Sequence, residues 1–294
     1  MRQLFGPVRT ACPLCASNVI RYHLNIEASP AFSTSICADC GFIFMNPPFS
    51  PKTIHSFYQE GYYTGKADFA YTDERQTERF SAYVHRARLK TIARFVPRGR
   101  LLDIGSSFGL FLKAAADRYE PWGVELSEYA ANWAAVNVGA HIFHGSFDSF
   151  RPEIRFDVIT AIEVIEHIVD PVAFIEKCCS LLNPNGLLVL QTADMSAWQA
   201  LRAGARYHYF LPGHLSYFTE QNLTDALIRA GFRTVRAFRP VDFSLIAKLR
   251  KSRGGFKKLG DYAAWLRIAR YHLAGHFRIH GRHLTSSMVL YAQR

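Results

Sequence analysis

Apolar and polar residues change their period along the chain. Between about Asp73 and Phe95, the apolar side chains Phe80, Tyr83, Val84, Ala87, Leu89 and Ile92 fall at helical intervals, and Pro97 and Gly99 close the run. That predicts one long amphipathic helix. From Arg100 onward the pattern becomes short apolar runs alternating with helical stretches. The runs are Leu101–Ile104, Trp122–Glu125, His141–Phe143, Phe156–Thr160, Leu187–Leu190, Phe232–Phe238 and Ser287–Tyr291. Runs this short, bounded by turn signals, predict buried strands. Helices are predicted between them: from about Phe108 to Arg118, from the N-cap Ser127, from Asp170-Pro171 to about Leu182, and from Thr219 to Gly231. Asn183-Pro184-Asn185-Gly186 predicts a turn. Such alternation predicts an α/β fold, a mostly parallel sheet of seven strands with helices on both faces.

The stretch Leu101-Leu102-Asp103-Ile104-Gly105-Ser106-Ser107-Phe108-Gly109 reads as a strand running through a glycine turn into a helix. Gly105 lets the backbone turn without a Cβ clash, and Gly109 permits close approach of helix and ligand. Asp103 ends its strand, where open α/β sheets bind ligands. Glu125 ends the next strand, about twenty residues beyond the turn, and an acid there can accept both hydroxyls of a ribose. Gly145-Ser146-Phe147-Asp148 follows the third strand, where an adenine ring can lie. Together these place a nucleoside across the strand ends.

The N-terminal part has a different pattern. Cys12-Pro13-Leu14-Cys15 and Cys37-Ala38-Asp39-Cys40-Gly41 are two CxxC knuckles separated by 21 residues. Four thiolates suit a closed, tetrahedral, structural zinc site, and the polar segment between the knuckles is too small to hold a core alone. A disulfide pair or four unlinked thiols are the alternatives. Cys178 and Cys179 fall in a helical pattern and read as reduced core residues. Asn46-Pro47-Pro48 marks a linker, and Phe57, Tyr58, Tyr62 and Tyr63 an aromatic stretch after it. The chain thus divides into a zinc ribbon over 1–50, a helical linker or lid over 51–97, and an α/β domain over 98–294 carrying an insertion at about 242–284. The long helix is expected to pack across the mouth of that domain.

The region from about Arg100 to Arg239 resembles the class I S-adenosylmethionine-dependent methyltransferases. The residues that carry the resemblance are Asp103-Ile104-Gly105 with Gly109, Glu125, Phe156-Asp157-Val158-Ile159, Glu163-Val164-Ile165-Glu166-His167 and Leu182-Asn183-Pro184-Asn185-Gly186. It implies a Rossmann-like sheet and a cofactor site of Asp103, Gly105, Ser106, Phe108, Gly109, Glu125, Leu126, Ser146, Phe147, Asp148 and Glu163. Within it, Gly105 and Gly109 would lie near the methionine part, Glu125 on the ribose, and Phe147 and Asp148 near adenine. Ser107 stands where the family usually has a middle glycine.

The paired knuckles, the Pro-Pro linker and the tyrosine-rich segment are similar to a subgroup acting on sugars or other small molecules. Its sugar C-methyltransferases use the His of a His-Leu-Ser-Tyr-Phe run as a base. Here that run is His214-Leu215-Ser216-Tyr217-Phe218, preceded by Gly213 rather than by an acid. The catalytic candidates are therefore His214, His167 and Glu163. If the acceptor is a hydroxyl, His214 is its base, since imidazole titrates near neutral pH; the alternative is a His that fixes a loop. Glu163, Glu166 and His167 would share one face of a helical turn. With His214 they either hold a divalent cation, as a similar run does in certain RNA and quinone-precursor methyltransferases, or shape the active-site floor. Tyr207, His208 and Tyr209 fall in a loop expected to shape the acceptor pocket; Trp198 reads either the same way or as packed aromatic core.

Charge adds a partner question. The net charge is +11, and the stretch from Asp242 to Arg294 holds eleven Lys/Arg against two Asp, or +9 of it. Asp261 to His276 reads as a helix with Tyr262, Trp265, Leu266, Ala269 and Leu273 toward one face. The segment is either a solvated helical face or a contact for a membrane surface or a phosphorylated or lipid-linked acceptor. The leading expectation is a methyltransferase for a sugar or glycoconjugate intermediate, acting on oxygen or carbon. An RNA methyltransferase and a non-catalytic cofactor-binding protein are the alternatives; against RNA, the first 97 residues are not notably basic. No apolar run reaches membrane-spanning length, and Met1 to Thr10 lacks an apolar signal core. A cytosolic protein, peripheral to a membrane at most, is expected.

Overall fold

The computed structural model of the chain describes residues 4–57 and 73–294. Tyr58, Tyr62 and Tyr63 lie outside the described residues. A seven-stranded sheet carries the fold. It is built from β4 (Gly99–Ile104), β5 (Tyr119–Glu125), β6 (His141–His144), β7 (Phe156–Ile162), β8 (Leu182–Ala193), β10 (Thr234–Phe238) and β13 (Ser287–Gln293). Their order is β10-β13-β8-β7-β4-β5-β6. The five strands β6, β5, β4, β7 and β8 run parallel, and β13 is antiparallel to both β8 and β10. All seven coincide with the apolar runs of the sequence. Leu101, Leu102, Val158 and Ile159 are fully buried because helices cover both faces. Burying each such side chain stabilises the fold by roughly 1.5–3 kcal/mol, so the sheet centre is its best-secured part.

The chain reverses its winding at β4. It moves to β5 and β6 on one side, then crosses to β7 and β8 on the other. The crevice at the carboxyl ends of β4 and its neighbours is where such a reversal leaves room for a ligand.

Helices α3 (Leu110–Ala115), α4 (Glu128–Asn137), α5 (Pro171–Leu181) and α7 (Glu220–Arg229) link the strands. Three predicted caps are present. Ser127 accepts from the Ala130 amide, Asp170 from Ala173 at 3.0 Å with Pro171 behind it, and Thr219 with Asn222 forms a reciprocal box. Two boundaries differ from the sequence expectation. Helix α3 stops at Ala115, since β5 begins three residues early at Tyr119, whose hydroxyl donates to the Val96 carbonyl at 2.6 Å. The predicted turn at Asn183–Gly186 is a bulge inside β8: Leu182 pairs with Phe156, and pairing resumes only at Leu187 with Val158.

The N-terminal unit is a second, four-stranded sheet of β1 (Ile20–Ile26), β2 (Phe32–Cys37), β3 (Ile43–Met45) and β9 (Ser216–Tyr217). Its fourth strand comes from the α/β domain. Ile43 pairs with Tyr217 and Phe44 with Ser216, and the Met45 amide donates to the Leu215 carbonyl at 2.9 Å. Phe42 and Phe44 belong to one buried cluster with Phe218, Leu223 and Leu227. The unit that looked too small for a core borrows the core of its neighbour. The expected division at residue 50 is thus bridged both by a sheet and by a shared core.

Helix α1 (Pro51–Phe57) follows, then α2 (Glu78–Ile92), preceded by a 3₁₀ turn over Glu74–Thr77. Val84 of α2 packs with Phe243 and with Ala247 of α8 (Leu245–Ser252). Helix α6 (Trp198–Ala203) follows β8. The insertion continues through α9 (Ala263–Ala274) and the hairpin of β11 (Arg278–Ile279) and β12 (Arg282–His283). In α9 the inward stripe is Trp265, Ile268, Ala269 and His272, whereas Tyr262, Leu266 and Leu273 are exposed. This corrects the sequence expectation, which placed those three with Trp265 on one face. Cys178 and Cys179 are buried on α5, as expected.

Candidate functional site

One cavity of about 750 Å³ opens along the carboxyl ends of β4, β5, β6 and β7. The chain leaves β4 through three left-handed residues, Gly105, Ser107 and Gly109, with φ of 73°, 49° and 68°. A Cβ on Gly105 would lie 2.8 Å from the Val164 side chain, so glycine is required there on two grounds. Ser107 adopts the same conformation with a side chain, at a cost of about 1–2 kcal/mol. Its hydroxyl, like that of Ser106, is buried with no hydrogen-bond partner among the described residues.

Glu125 secures this turn from β5. One carboxylate oxygen accepts the Ser107 amide at 2.7 Å and the other accepts the Ser127 amide at 2.8 Å. Beside it, Asp103 accepts from the Thr160 hydroxyl at 2.6 Å. Burial pushes its carboxyl up to about 7, against the opposing pull of the Thr160 bond.

Of the predicted cofactor residues, Asp103, Gly105, Ser106, Phe108, Glu125, Leu126, Ser146, Phe147, Asp148 and Glu163 all line the cavity. Gly109 does not. Its close approach is to helix α4, where a Cβ would meet Val138 and Ala134 at 3.1 and 3.3 Å. The expectation of a helix close-packed there holds, and the ligand-facing part of it does not. Gly123 is a packing glycine that the sequence reading did not single out; a Cβ there would meet Ser106 and Leu112.

A second group of side chains forms one end of the cavity. Glu163 follows β7 with φ of 55°, and its carboxylate accepts from Gln191 at 2.6 Å and from the Tyr209 hydroxyl at 3.1 Å. A left-handed glutamate is a strained residue held by its surroundings. His167 and His214 stand with ring centroids 4.6 Å apart. The Nδ1 of His167 lies 2.9 Å from the Gly213 carbonyl, and that of His214 lies 2.8 Å from the Tyr209 carbonyl. A carbonyl only accepts, so each Nδ1 carries the proton and each Nε2 is the acceptor nitrogen. Burial holds both imidazoles below their ordinary proton affinity, His214 far below, with His167 adding to the effect. All three catalytic candidates, His214, His167 and Glu163, line the cavity.

Glu166 lies under this group, fully buried. Its Oε1 accepts from the Tyr209 hydroxyl at 2.5 Å, while Oε2 has no partner among the described residues. Burial, then the nearby Glu163, pushes its carboxyl well above the usual range. Donor atoms of Glu166, His167 and His214 lie within 4.8 Å of one another, and Glu163 is not part of that cluster. The four residues weighed together in the sequence are thus three plus one. Tyr209 acts beneath the cavity floor rather than on its wall. Tyr207 is buried with its hydroxyl on Ser286, and Trp198 donates to the Ile279 carbonyl at 2.9 Å. Neither of these, nor His208, lines the cavity.

The roof comes from elements the sequence placed only loosely. Helix α2 supplies His85 and Arg88, α8 supplies Lys248 and Lys251, and α9 supplies Ile268, Tyr271 and His272. The long helix does cross the mouth, as expected. Arg88 is buried, pairs with Asp242 at 3.0 Å and reaches the Gln191 side chain. Its only sequence signal was a cation inside a helical stripe, which ordinarily means a solvated edge.

The four N-terminal cysteines form a separate cluster. Cys12 and Cys40 stand 3.7 Å apart by their sulfurs, Cys15 and Cys37 3.6 Å, and all four lie within 4.8 Å of one another. A tetrahedron of thiolates about 2.3 Å from a zinc ion has edges of about 3.8 Å, so the cluster has the dimensions of a closed four-thiolate site.

A cleft at the winding reversal of a seven-stranded α/β sheet, with an acid on β5, is the arrangement in which open α/β sheets bind a nucleoside-bearing ligand. The sequence profile described as "Methyltransferase domain" matches residues 72–237, and the chain belongs to that family. Its curated relatives include the ubiquinone biosynthesis O-methyltransferases of Bradyrhizobium diazoefficiens (32% identical over 118 residues) and of Rhodopseudomonas palustris strain HaA2 (33% over 118 residues). Each match covers 37% of this chain and 46% of the relative, so the chain spans less than half the length of these relatives. Among solved structures, Haemonchus contortus phosphoethanolamine N-methyltransferase 2 aligns with a TM-score of 0.52 at 16% identity, covering 85% of this chain and 62% of the other. A chain from the complex of the Haloferax volcanii Trm112 methyltransferase activator with a methyltransferase aligns at 0.51 and 14% identity, covering 75% and 94%. These likenesses show the fold. No helix among the described residues is long and apolar enough to cross a membrane.

Proposed function

We propose that the chain methylates a hydroxyl of a small molecule, a sugar or glycoconjugate intermediate, with His214 as the base. The observation that carries the reading is the Nδ1 of His214 beside the Tyr209 carbonyl, which turns its acceptor nitrogen toward proton removal. When bound, S-adenosylmethionine supplies a methyl group already activated on a sulfonium. The residues present fit it. The Glu125 carboxylate suits a pair of ribose hydroxyls, and the hydroxyls of Ser106 and Ser107, without a hydrogen-bond partner among the described residues, belong to the same turn. Phe147 and Asp148 close the end assigned to adenine.

Methyl transfer asks the protein chiefly for alignment. The acceptor hydroxyl gives its proton to Nε2 of His214, and the Tyr209 carbonyl steadies the imidazolium through Nδ1–H. Low proton affinity keeps His214 neutral, hence able to accept, at neutral pH. Gln191 and Glu163 offer a donor and an acceptor for further hydroxyls of a polyol. The names of the curated relatives concern O-methyl transfer, which favours oxygen over carbon. The test is acceptor profiling with labelled S-adenosylmethionine across nucleotide sugars, lipid-linked sugars and RNA, using wild type and His214→Ala. The reading expects a sugar acceptor and a loss of turnover of roughly 10²–10⁴-fold with cofactor binding retained. RNA as the sole acceptor, or undiminished turnover, overturns it.

The Oε2 of Glu166, without a partner among the described residues, and its closeness to His167 and His214 support a second reading, in which the three hold a divalent cation that orients the acceptor. Full activity after exhaustive chelation, with the cysteine-bound metal retained, excludes that reading. We assign the four N-terminal cysteines to one structural zinc, on the sulfur spacings alone.

A further inference from the structure

The sixteen exposed large hydrophobic side chains among the described residues are unevenly placed. Eight of them fall between Ile246 and Ile279, on the insertion that roofs the cavity. Leu259 is 90% exposed and Leu266 73%. The same stretch, from Leu245 to His283, carries ten Lys/Arg against one acid, Asp261. Large apolar side chains normally give way to polar ones on a solvated face, and scattered single exceptions mean little. Half of the exceptions among the described residues in one strongly basic segment is a different situation.

Helix α9 shows the arrangement most clearly. Trp265, Ile268, Ala269 and His272 turn inward at spacings of three and four; Ile268 and His272 reach the cavity, and Trp265 donates to the Ser252 hydroxyl of α8 at 3.0 Å. The other side exposes Leu266, Arg270 and Leu273, again one helical stripe, with Arg267 beside it. One helix therefore has a face for the cavity and a second face, apolar and cationic together, for something outside.

We propose that this outer face docks on an anionic lipid surface. Aliphatic side chains interspersed with arginine and lysine match the boundary between acyl chains and acidic headgroups. RNA recognition would instead favour stacked aromatics, and the most exposed members here, Leu259 and Leu266, are aliphatic. Docking sets the roof of the cavity on the leaflet, with α9 as the wall shared by both.

The experiment is co-sedimentation of the full chain with phosphatidylcholine vesicles, with and without phosphatidylglycerol. Wild type is expected to sediment with the anionic vesicles only. The combined change Lys257→Glu, Lys258→Glu, Arg267→Glu and Arg270→Glu lowers that partition at least about tenfold. The combined change Leu259→Ser, Leu266→Ser and Leu273→Ser lowers it comparably although every charge is kept. Both variants are to be compared with wild type for thermal unfolding and S-adenosylmethionine binding, which this surface does not touch. Wild type left in the supernatant, full binding by the serine variant, tight RNA binding in its place, or burial of the patch in a stable dimer each overturns the proposal. Loss of cofactor binding in wild type would instead strike at the proposed function.

Discussion

Replacing Glu125 by Gln changes one oxygen for an amide nitrogen, and the structure leaves that nitrogen nowhere to go. Both carboxylate oxygens accept backbone amides, Ser107 at 2.7 Å and Ser127 at 2.8 Å. Whichever way the new amide turns, its NH₂ faces an N–H, and one buried donor is left unpaired. Glu125 is only 3% exposed, so water offers little relief. A charge-assisted bond lost with its donor stranded costs roughly 1.5–3 kcal/mol. Because Ser107 sits in the turn proposed to hold the cofactor, the same loss loosens the site, and at 1.4 kcal/mol per decade the affinity for S-adenosylmethionine is expected to fall by roughly 10–100-fold. Isothermal titration calorimetry reads the affinity and thermal unfolding reads the stability, which is expected to fall by a few degrees. An unchanged melting temperature together with an affinity within about threefold of wild type would refute the claim that Glu125 secures this turn.

Asp103 makes a pH prediction. The folded carboxyl holds its proton up to about 7, whereas an unfolded Asp releases it near 3.9. The folded state thus binds more protons between those values, and stability falls as pH rises from about 4 to 7, by up to ~4 kcal/mol. Asp103→Asn should flatten denaturant-measured stability over that window; an identical slope in both proteins would contradict it. A cationic cofactor beside Asp103 should release a proton on binding near pH 6.5, seen as a buffer-dependent heat in calorimetry. Ser107→Gly relieves a left-handed serine and removes a buried unpaired hydroxyl, so it should hold or raise the melting temperature and keep cofactor affinity; destabilisation by more than about 1 kcal/mol would show that the serine is favourable there. Metal analysis should find about one zinc per chain, and Cys37→Ser should abolish it; metal-free wild type that melts normally would remove the assignment.

Much of the α/β domain was legible because its signals are local. Buried parallel strands such as Leu101–Ile104 must be apolar on both faces, and Ser127, Asp170 and Thr219 announce their helices one residue ahead. The placement of Gly105 and Glu125 on the cavity was legible for a related reason: their positions are set by strand ends, which the chain order fixes. The end of the cavity proposed for the acceptor was only half legible. His214, His167 and Glu163 could be named, but the carbonyls that set the imidazole protons belong to Gly213 and Tyr209 and follow from loop conformation. Arg88 was invisible as a cavity residue because its partner, Asp242, is more than a hundred and fifty positions away. The face of α9 was misjudged for a related cause. Periodicity fits two overlapping stripes there, and only packing on α8 chooses between them.

The pairing of β3 with β9 bears on how the chain is made. Residues 43–45 leave the ribosome long before 216–217; at 5–20 residues per second the interval is roughly 10–35 s. Throughout it, Ile43-Phe44-Met45 presents an unpaired apolar strand edge, the kind of edge that recruits wrong partners. A segment made well before its partner is therefore completed late, and its completion also sets Leu215, the neighbour of His214, in place. Until that hand-off the strands and glycine turn of the cleft floor have emerged, while His214, the proposed base, is not yet seated. On the proposed reading, competence for chemistry arrives late in synthesis, after the turn assigned to the cofactor has emerged.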